Sequence, residues 1–152
     1  MKHPVALSLL LFFGAASMAQ ARLGETPDQV TARFGNGGPF FIIPGGPHDG
    51  LKQQEFRKQG FDIQVLFTDF SVGETYHATS TLTDGQIQAL LAANSEGHLW
   101  KESTTGGASR LWTRDDGATA RLMDTQFEFK SKFLIGKEEL WNQAQLPSVE
   151  GF

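Results

Sequence analysis

Two stretches of the chain repeat one arrangement of polar and apolar positions, 57 residues apart. Residues 26–35 read TPDQVTARFG and residues 83–92 read TDGQIQALLA; both open Thr-x-x-Gln and follow with a β-branched residue. The spacing predicts two helix starts. Thr26 and Thr83 are N-caps whose hydroxyls accept from the third backbone N–H, and Gln29 and Gln86 reach back to close capping boxes. Pro27 suits the first helical position. Val30 and Phe34 then share one face at i, i+4, and Gly35 supplies the C-cap. In the second stretch Leu82 and Ile87 form a hydrophobic staple. Ile87, Leu90 and Leu91 make the apolar face, and Asn94 is the stop.

After each helix the pattern changes to alternation, the signature of a strand with one buried side. Residues 53–58 and 61–68 alternate around Gln59-Gly60, and residues 109–114 and 118–123 around Asp116-Gly117. Both turns read as two-residue type I′ connections with Gly second. Gly60 and Gly117 are again 57 positions apart. A further strand follows in each case, near 72–80 and 126–133. The expected fold is α+β, with two tandem α-β-β-β units, about 22–80 and 81–136. They form one antiparallel sheet with two main helices packed on one face, a single domain spanning 22–136.

Register assigns the faces, because successive strand residues point to opposite sides. Phe56 falls opposite Ile63, with Phe61, Val65 and Phe67 on the same side. The other side pairs Glu55 with Gln64 and Arg57 with Asp62. In the second hairpin a two-residue turn places Leu111, Ala120 and Leu122 together. It sets Arg110, Trp112, Arg114, Arg121 and Met123 on the opposite face, with Trp112 across from Arg121. Arg110, Trp112, Arg114 and Arg121 are the candidate binding residues, since tryptophan and arginine are enriched where interfaces carry their energy. Two structural readings compete: arginine stems covering the indole, or the tail folding over it against Trp141.

Two segments fall outside the pattern. Residues 35–50, GNGGPFFIIPGGPHDG, read as a short buried strand, Phe40 to Ile43, between turns, with a binding loop as the alternative. In residues 137–152, Lys137 to Ala144 form one or two helical turns that dock Leu140 and Trp141 before Pro147.

The first 21 residues read as a cleaved signal peptide. Lys2 precedes an apolar run from Val5 to Phe13, and Ala19-Gln20-Ala21 fits the cleavage pattern. Such a run is shorter than the ~20 apolar residues of a membrane span, so no integral span is expected after cleavage. The whole chain has 13 Lys and Arg, so losing Lys2 leaves 12 against 17 Asp and Glu, a net charge near −5. That sign argues against nucleic acid as a partner. With no cysteine, disulfides and thiolate chemistry are excluded, and an exported chain must rely on its apolar core. No cofactor or metal site is expected. His48, His77 and His98 lack ligand spacing, and no nucleophile elbow, zinc helix or phosphate loop is written in the chain.

At Gly24-x-Thr26-x-x-Gln29-Val30, closing with Gly35, the chain resembles the helix start of BamE/SmpA-like envelope proteins. Its tandem arrangement is similar to the beta-lactamase-inhibitor-protein fold. The chain departs from both: it lacks the lipid-anchor cysteine of the first and the cysteines of the second. The resemblance implies a non-catalytic envelope protein that works by protein contact. The expected function is therefore an exported binding or assembly module of the bacterial cell envelope, periplasmic or secreted, with an envelope protein as partner. The alternative is a small envelope hydrolase whose carboxylates or histidines meet only in the fold.

Overall fold

Both helix starts close as their side chains dictate. In the computed structural model, which describes residues 22–103 and 109–146, α1 spans Pro27–Phe34 and α2 spans Asp84–Ala93. The Thr26 hydroxyl accepts from the Gln29 N–H at 3.3 Å, and Gln29 Oε1 accepts from the Thr26 N–H at 2.8 Å. The Thr83–Gln86 box repeats this at 3.2 and 2.9 Å. Each helix then buries its apolar pair, Val30 with Phe34 and Ile87 with Leu91.

The strands are β1 Phe41–Ile42, β2 Lys52–Lys58, β3 Phe61–Phe67 and β4 Ser71–Ala78, then β5 Trp100–Ser103, β6 Ser109–Arg114, β7 Thr119–Met123 and β8 Gln126–Lys130. They make one antiparallel sheet in the order β1-β2-β3-β4-β8-β7-β6-β5. The two halves meet at β4 and β8, where Tyr76 stands opposite Phe127. Helices α1 and α2 cover one side, the inner face. Phe56, Ile63, Val65 and Phe67 from one half and Trp112, Ala120, Phe127 and Phe129 from the other form a single core beneath them. Phe127 and Phe129 stand edge to face with ring centroids 4.8 Å apart, a geometry aromatic pairs favour.

Three expectations need correction. The sheet has eight strands, so each of the first two helices is followed by four strands rather than three. The extra strands, β1 and β5, are short edge strands whose residues show no clean alternation. Nor are there two main helices. A third helix, α3 Lys132–Ala144, is the longest, at 13 residues, and it lies on the opposite, outer face. The strand expected to reach 133 ends at Lys130 because Ser131 caps α3, its hydroxyl accepting from the Leu134 N–H. Leu134, rather than Leu140 or Trp141, is the docking residue: it is buried against Leu51 and Val72 while the other two are exposed. Its methyl lies so close to Gly73 that a Cβ there would come within 2.7 Å. Only glycine lets α3 cross β4 at this distance.

The third correction concerns residues 35–50. Phe41 and Ile42 pair with β2 at the edge of the sheet and are exposed, not buried. The loop beyond them is closed by its own hydrogen bonds. The Ile43 N–H donates to Leu51 O, the Gly50 N–H to Ile43 O, and the Gly45 N–H to Asp49 Oδ1.

Candidate functional site

The turn that joins β6 to β7 decides which residues face outward. The first hairpin forms as its sequence reads, with Phe56 opposite Ile63 and Arg57 opposite Asp62. Its two turn residues, Gln59 and Gly60, both have positive φ, 52° and 83°, as a type I′ turn requires. In the second hairpin only Gly117 has positive φ, at 92°. The Gly117 N–H donates to Arg114 O and the Arg114 N–H to Ala118 O. This is a three-residue loop, a tight turn closed by a left-handed glycine. Trp112 therefore stands opposite Ala120, and Leu111 opposite Arg121. The register is one residue from the expected one, so the partner strand presents its other face.

The four candidate binding residues are split by this shift. Trp112 belongs to the core, 2 % exposed, with its ring edge-on to Phe127 at 5.5 Å. Arg110 lies over that indole at 4.9 Å and is held by Glu102 and Asp84, each at 2.8 Å. The hydrogen bond from Glu102, then that from Asp84, raises its pKa above the usual arginine value. Arg114 is 4 % exposed. It donates to both Asp116 oxygens at 2.8 and 2.6 Å and to Asn94 O at 2.5 Å, so it clamps the turn to the end of α2. The Arg114 hydrogen bond holds the Asp116 carboxyl down at about 2. Arg121 alone remains on the outer face. The four do not form one surface.

A second buried polar cluster was not legible in the sequence. Glu74 is buried on the inner face and accepts from Arg33 Nη2 and from the Tyr76 hydroxyl, both at 2.7 Å. Arg33 also donates to Glu25. The irregularity between Leu66 and Phe67 sets the parity of β4 here, and no turn signal announces it. These charges secure α1 to β4, so their role is structural. The histidines sit on three different elements. His48 Nε2 is 2.7 Å from Glu138 Oε1, beside Lys130, His98 Nδ1 is 2.5 Å from Asp115 Oδ1, and His77 is opposite Asp62. Burial alone would raise the Glu138 carboxyl, yet hydrogen bonds from Lys130 and His48 bring it below its ordinary value. Among the described residues no three His, Asp or Glu side chains converge to hold a metal ion.

What remains is the outer face itself, ordered in rows across the strands. One row runs Leu111, Arg121, Glu128, Thr75, Gln64, Glu55 from β6 to β2. A second runs Met123, Gln126, His77, Asp62, Arg57. A third row, through Lys130, Gly73 and Leu66, lies under α3. Among the described residues no helix or loop covers the first two rows. A shallow depression of about 470 Å³ opens at one end of them, lined by Gly37, Arg57, Gln64 and His77. The polar positions of β8, Gln126, Glu128 and Lys130, were legible as the outward side of QFEFK. Their neighbours on β7 were not, because the turn length was misjudged.

The chain matches no protein-family model, no curated protein and no solved structure. The functional reading therefore rests on its own residues.

Proposed function

We propose that the protein is an exported, non-catalytic binding or assembly module of the cell envelope that holds a protein partner on the outer face of its sheet. The observation that carries this reading is the pair of uncovered rows. At about 4.8 Å between strands, the six strands of the first row extend over roughly 25 Å. A standard interface of about 800 Å² per partner is only slightly wider. Leu111 and Met123 give the face apolar points of contact, and Arg121, Gln64, Gln126 and His77 supply hydrogen bonds around them. The polar composition suits a non-obligate partner, whose interfaces are no more apolar than the rest of a protein surface.

The test is capture from an envelope extract by the tagged protein, with an outer-face variant beside it. Arg121→Glu with Met123→Glu is expected to leave the circular dichroism spectrum unchanged and to remove the captured partner. Lys137→Glu, on α3 away from the rows, should retain it. Capture that survives the outer-face variant would overturn the proposal. The export half of the proposal is tested separately: N-terminal sequencing should find Arg22 first, and only full-length chain in the membrane fraction would contradict it.

A further inference from the structure

The sheet has two unlike ends. At one end stand the tight turns Gln59-Gly60 and Asp124-Thr125 and the polar crossing from β4 to α2, Thr79, Ser80 and Thr81, all exposed except Thr125. At the other end stand the loop between β1 and β2, the loop between β3 and β4, and α3. The exposed large apolar side chains of the described residues gather towards this second end. Ile42 is 70 % exposed and Phe41 lies beside it on the edge strand, Phe70 tops the β3–β4 loop, and Phe133, Leu140 and Trp141 project from α3.

Helix α3 presents these groups in a regular way. Phe133, Gly136 and Leu140 follow at i, i+3 and i+7, so they form one stripe. At 3.6 residues per turn that stripe lies about 100° round the helix from Leu134, the residue that docks on the sheet. No described element covers it. Gly136, with nothing within 4 Å of where a Cβ would lie, leaves an open notch between the two apolar residues.

We infer that this end of the sheet is a contact surface for a lipid bilayer, with α3 lying in the plane of the headgroups. Three features favour lipid over a folded protein. The apolar groups come from four separate elements and project singly. That suits insertion between acyl chains better than the close complementarity of a protein interface. They are Phe, Ile, Leu and Trp, the residues that enter the headgroup–acyl boundary in monotopic helices. The chain outside the described region also joins here: the Gly24 N–H donates to Ser71 O at the start of β4. Residues 1–21, with their apolar run from Val5 to Phe13, thus lead into the fold at its apolar end. Charge at this end is mixed, Lys52 and Lys132 standing beside Asp69 and Glu139. Insertion rather than attraction to anionic headgroups is therefore the driving term.

The experiment is flotation of the protein, as isolated from the cells that make it, with phosphatidylcholine vesicles. The parent should float with the vesicles at low and high ionic strength alike. Its fluorescence should shift to the blue, and the shift should be lost in Trp141→Phe. Phe133→Ser with Leu140→Ser should lower the bound fraction about tenfold, and Phe41→Ser with Ile42→Ser, on a different element, should lower it as well. Each variant keeps the parent's N terminus, so any contribution of residues 1–21 cancels. A parent that does not float overturns the inference, as does one whose flotation neither pair of substitutions reduces. A parent that instead sediments as a dimer, dissociated by the α3 pair, would assign the stripe to a second copy of the chain. Because none of these substitutions touches the uncovered rows, loss of lipid binding and loss of partner capture are separable results.

Discussion

The two central hairpins are written almost alike and fold one residue apart. Each alternates toward an x-Gly pair, and each uses that glycine at positive φ, Gly60 at 83° and Gly117 at 92°. In the first, Gln59 also takes positive φ and the loop has two residues. In the second, Asp116 keeps an ordinary φ, and its side chain accepts from the Ala118 N–H and from Arg114. The loop grows to three residues. One residue in a turn then decides whether a tryptophan is in the core or in the solvent. Glycine alone does not specify a hairpin turn; the residue before it does.

The comparison breaks most visibly at Trp112. If the three-residue loop is right, Trp112→Ala should cost about 3–5 kcal/mol, as for a large aromatic removed from a packed core. Ile63→Ala in the first hairpin should cost about 2–5 kcal/mol on the same grounds. Urea denaturation measures both. A loss below about 1 kcal/mol at Trp112 would return it to the surface and restore the two-residue register.

Next in size is the contrast between Arg57 and Arg114, which stand 57 positions apart in the sequence. Arg57 pairs with Asp62 in open solvent, whereas Arg114 is buried with Asp116 and Asn94. Arg114→Ala should cost about 2–4 kcal/mol, because it strands a carboxylate and a carbonyl that the guanidinium satisfies. Arg57→Ala should change stability by about 0.5 kcal/mol or less. Equal losses would mean that the two arginines share an environment, against the register seen here.

The acid limb of the stability curve gives a smaller, signed effect. Asp116 titrates at about 2 in the fold against about 3.9 in an unfolded chain. Its contribution is therefore complete above about pH 4 and is lost as the pH falls through about 2. Discounted for its partial exposure, it is worth about 1 kcal/mol. Asp116→Asn should flatten the curve between about pH 4 and 2, and Asp62→Asn in the other hairpin should flatten it less. An unchanged slope in the first variant would remove the ion pair from the account.

The smallest test uses the turns themselves. Gln59→Asn should stabilise the protein by a few tenths of a kcal/mol, since asparagine tolerates a left-handed backbone better than glutamine does. Asp116→Gly should destabilise it instead. Two stabilising substitutions would show that both loops are of the two-residue kind.

Much of the fold could be read in advance because it is local. Both capping boxes, the staple at Leu82 and the first hairpin's register follow from side chains within a few residues of one another. The misreadings arose where a choice depended on distant partners. In the second hairpin either register puts a mixed set of residues on each face, so periodicity could not decide. Phe41 and Ile42 read as buried because nothing local showed that their strand would end up at an edge. Glu74 is an acid in a core, and only Arg33, 41 positions away, makes that tolerable. The candidate surface moved for the same reason. Of its four residues Arg121 stayed outside, and the outer-face residues of β3, β4 and β8 emerged as its neighbours only once all strands were paired.

The seam between β4 and β8 has a consequence for how the molecule is made. Hairpin turns join neighbours, but the seam joins Tyr76 to Phe127, 51 residues apart. Closing a loop of that length costs about 2–3 kcal/mol more in chain entropy than closing a hairpin turn. The hairpins are thus the fast events, and the seam sets the folding rate. While the chain emerges from a ribosome or crosses a membrane, the first half can form completely, yet its last strand keeps a row of unpaired backbone groups. That edge stays open until residues 126–130 arrive, so the time between the two halves is when the chain is most exposed to pairing with the wrong strand.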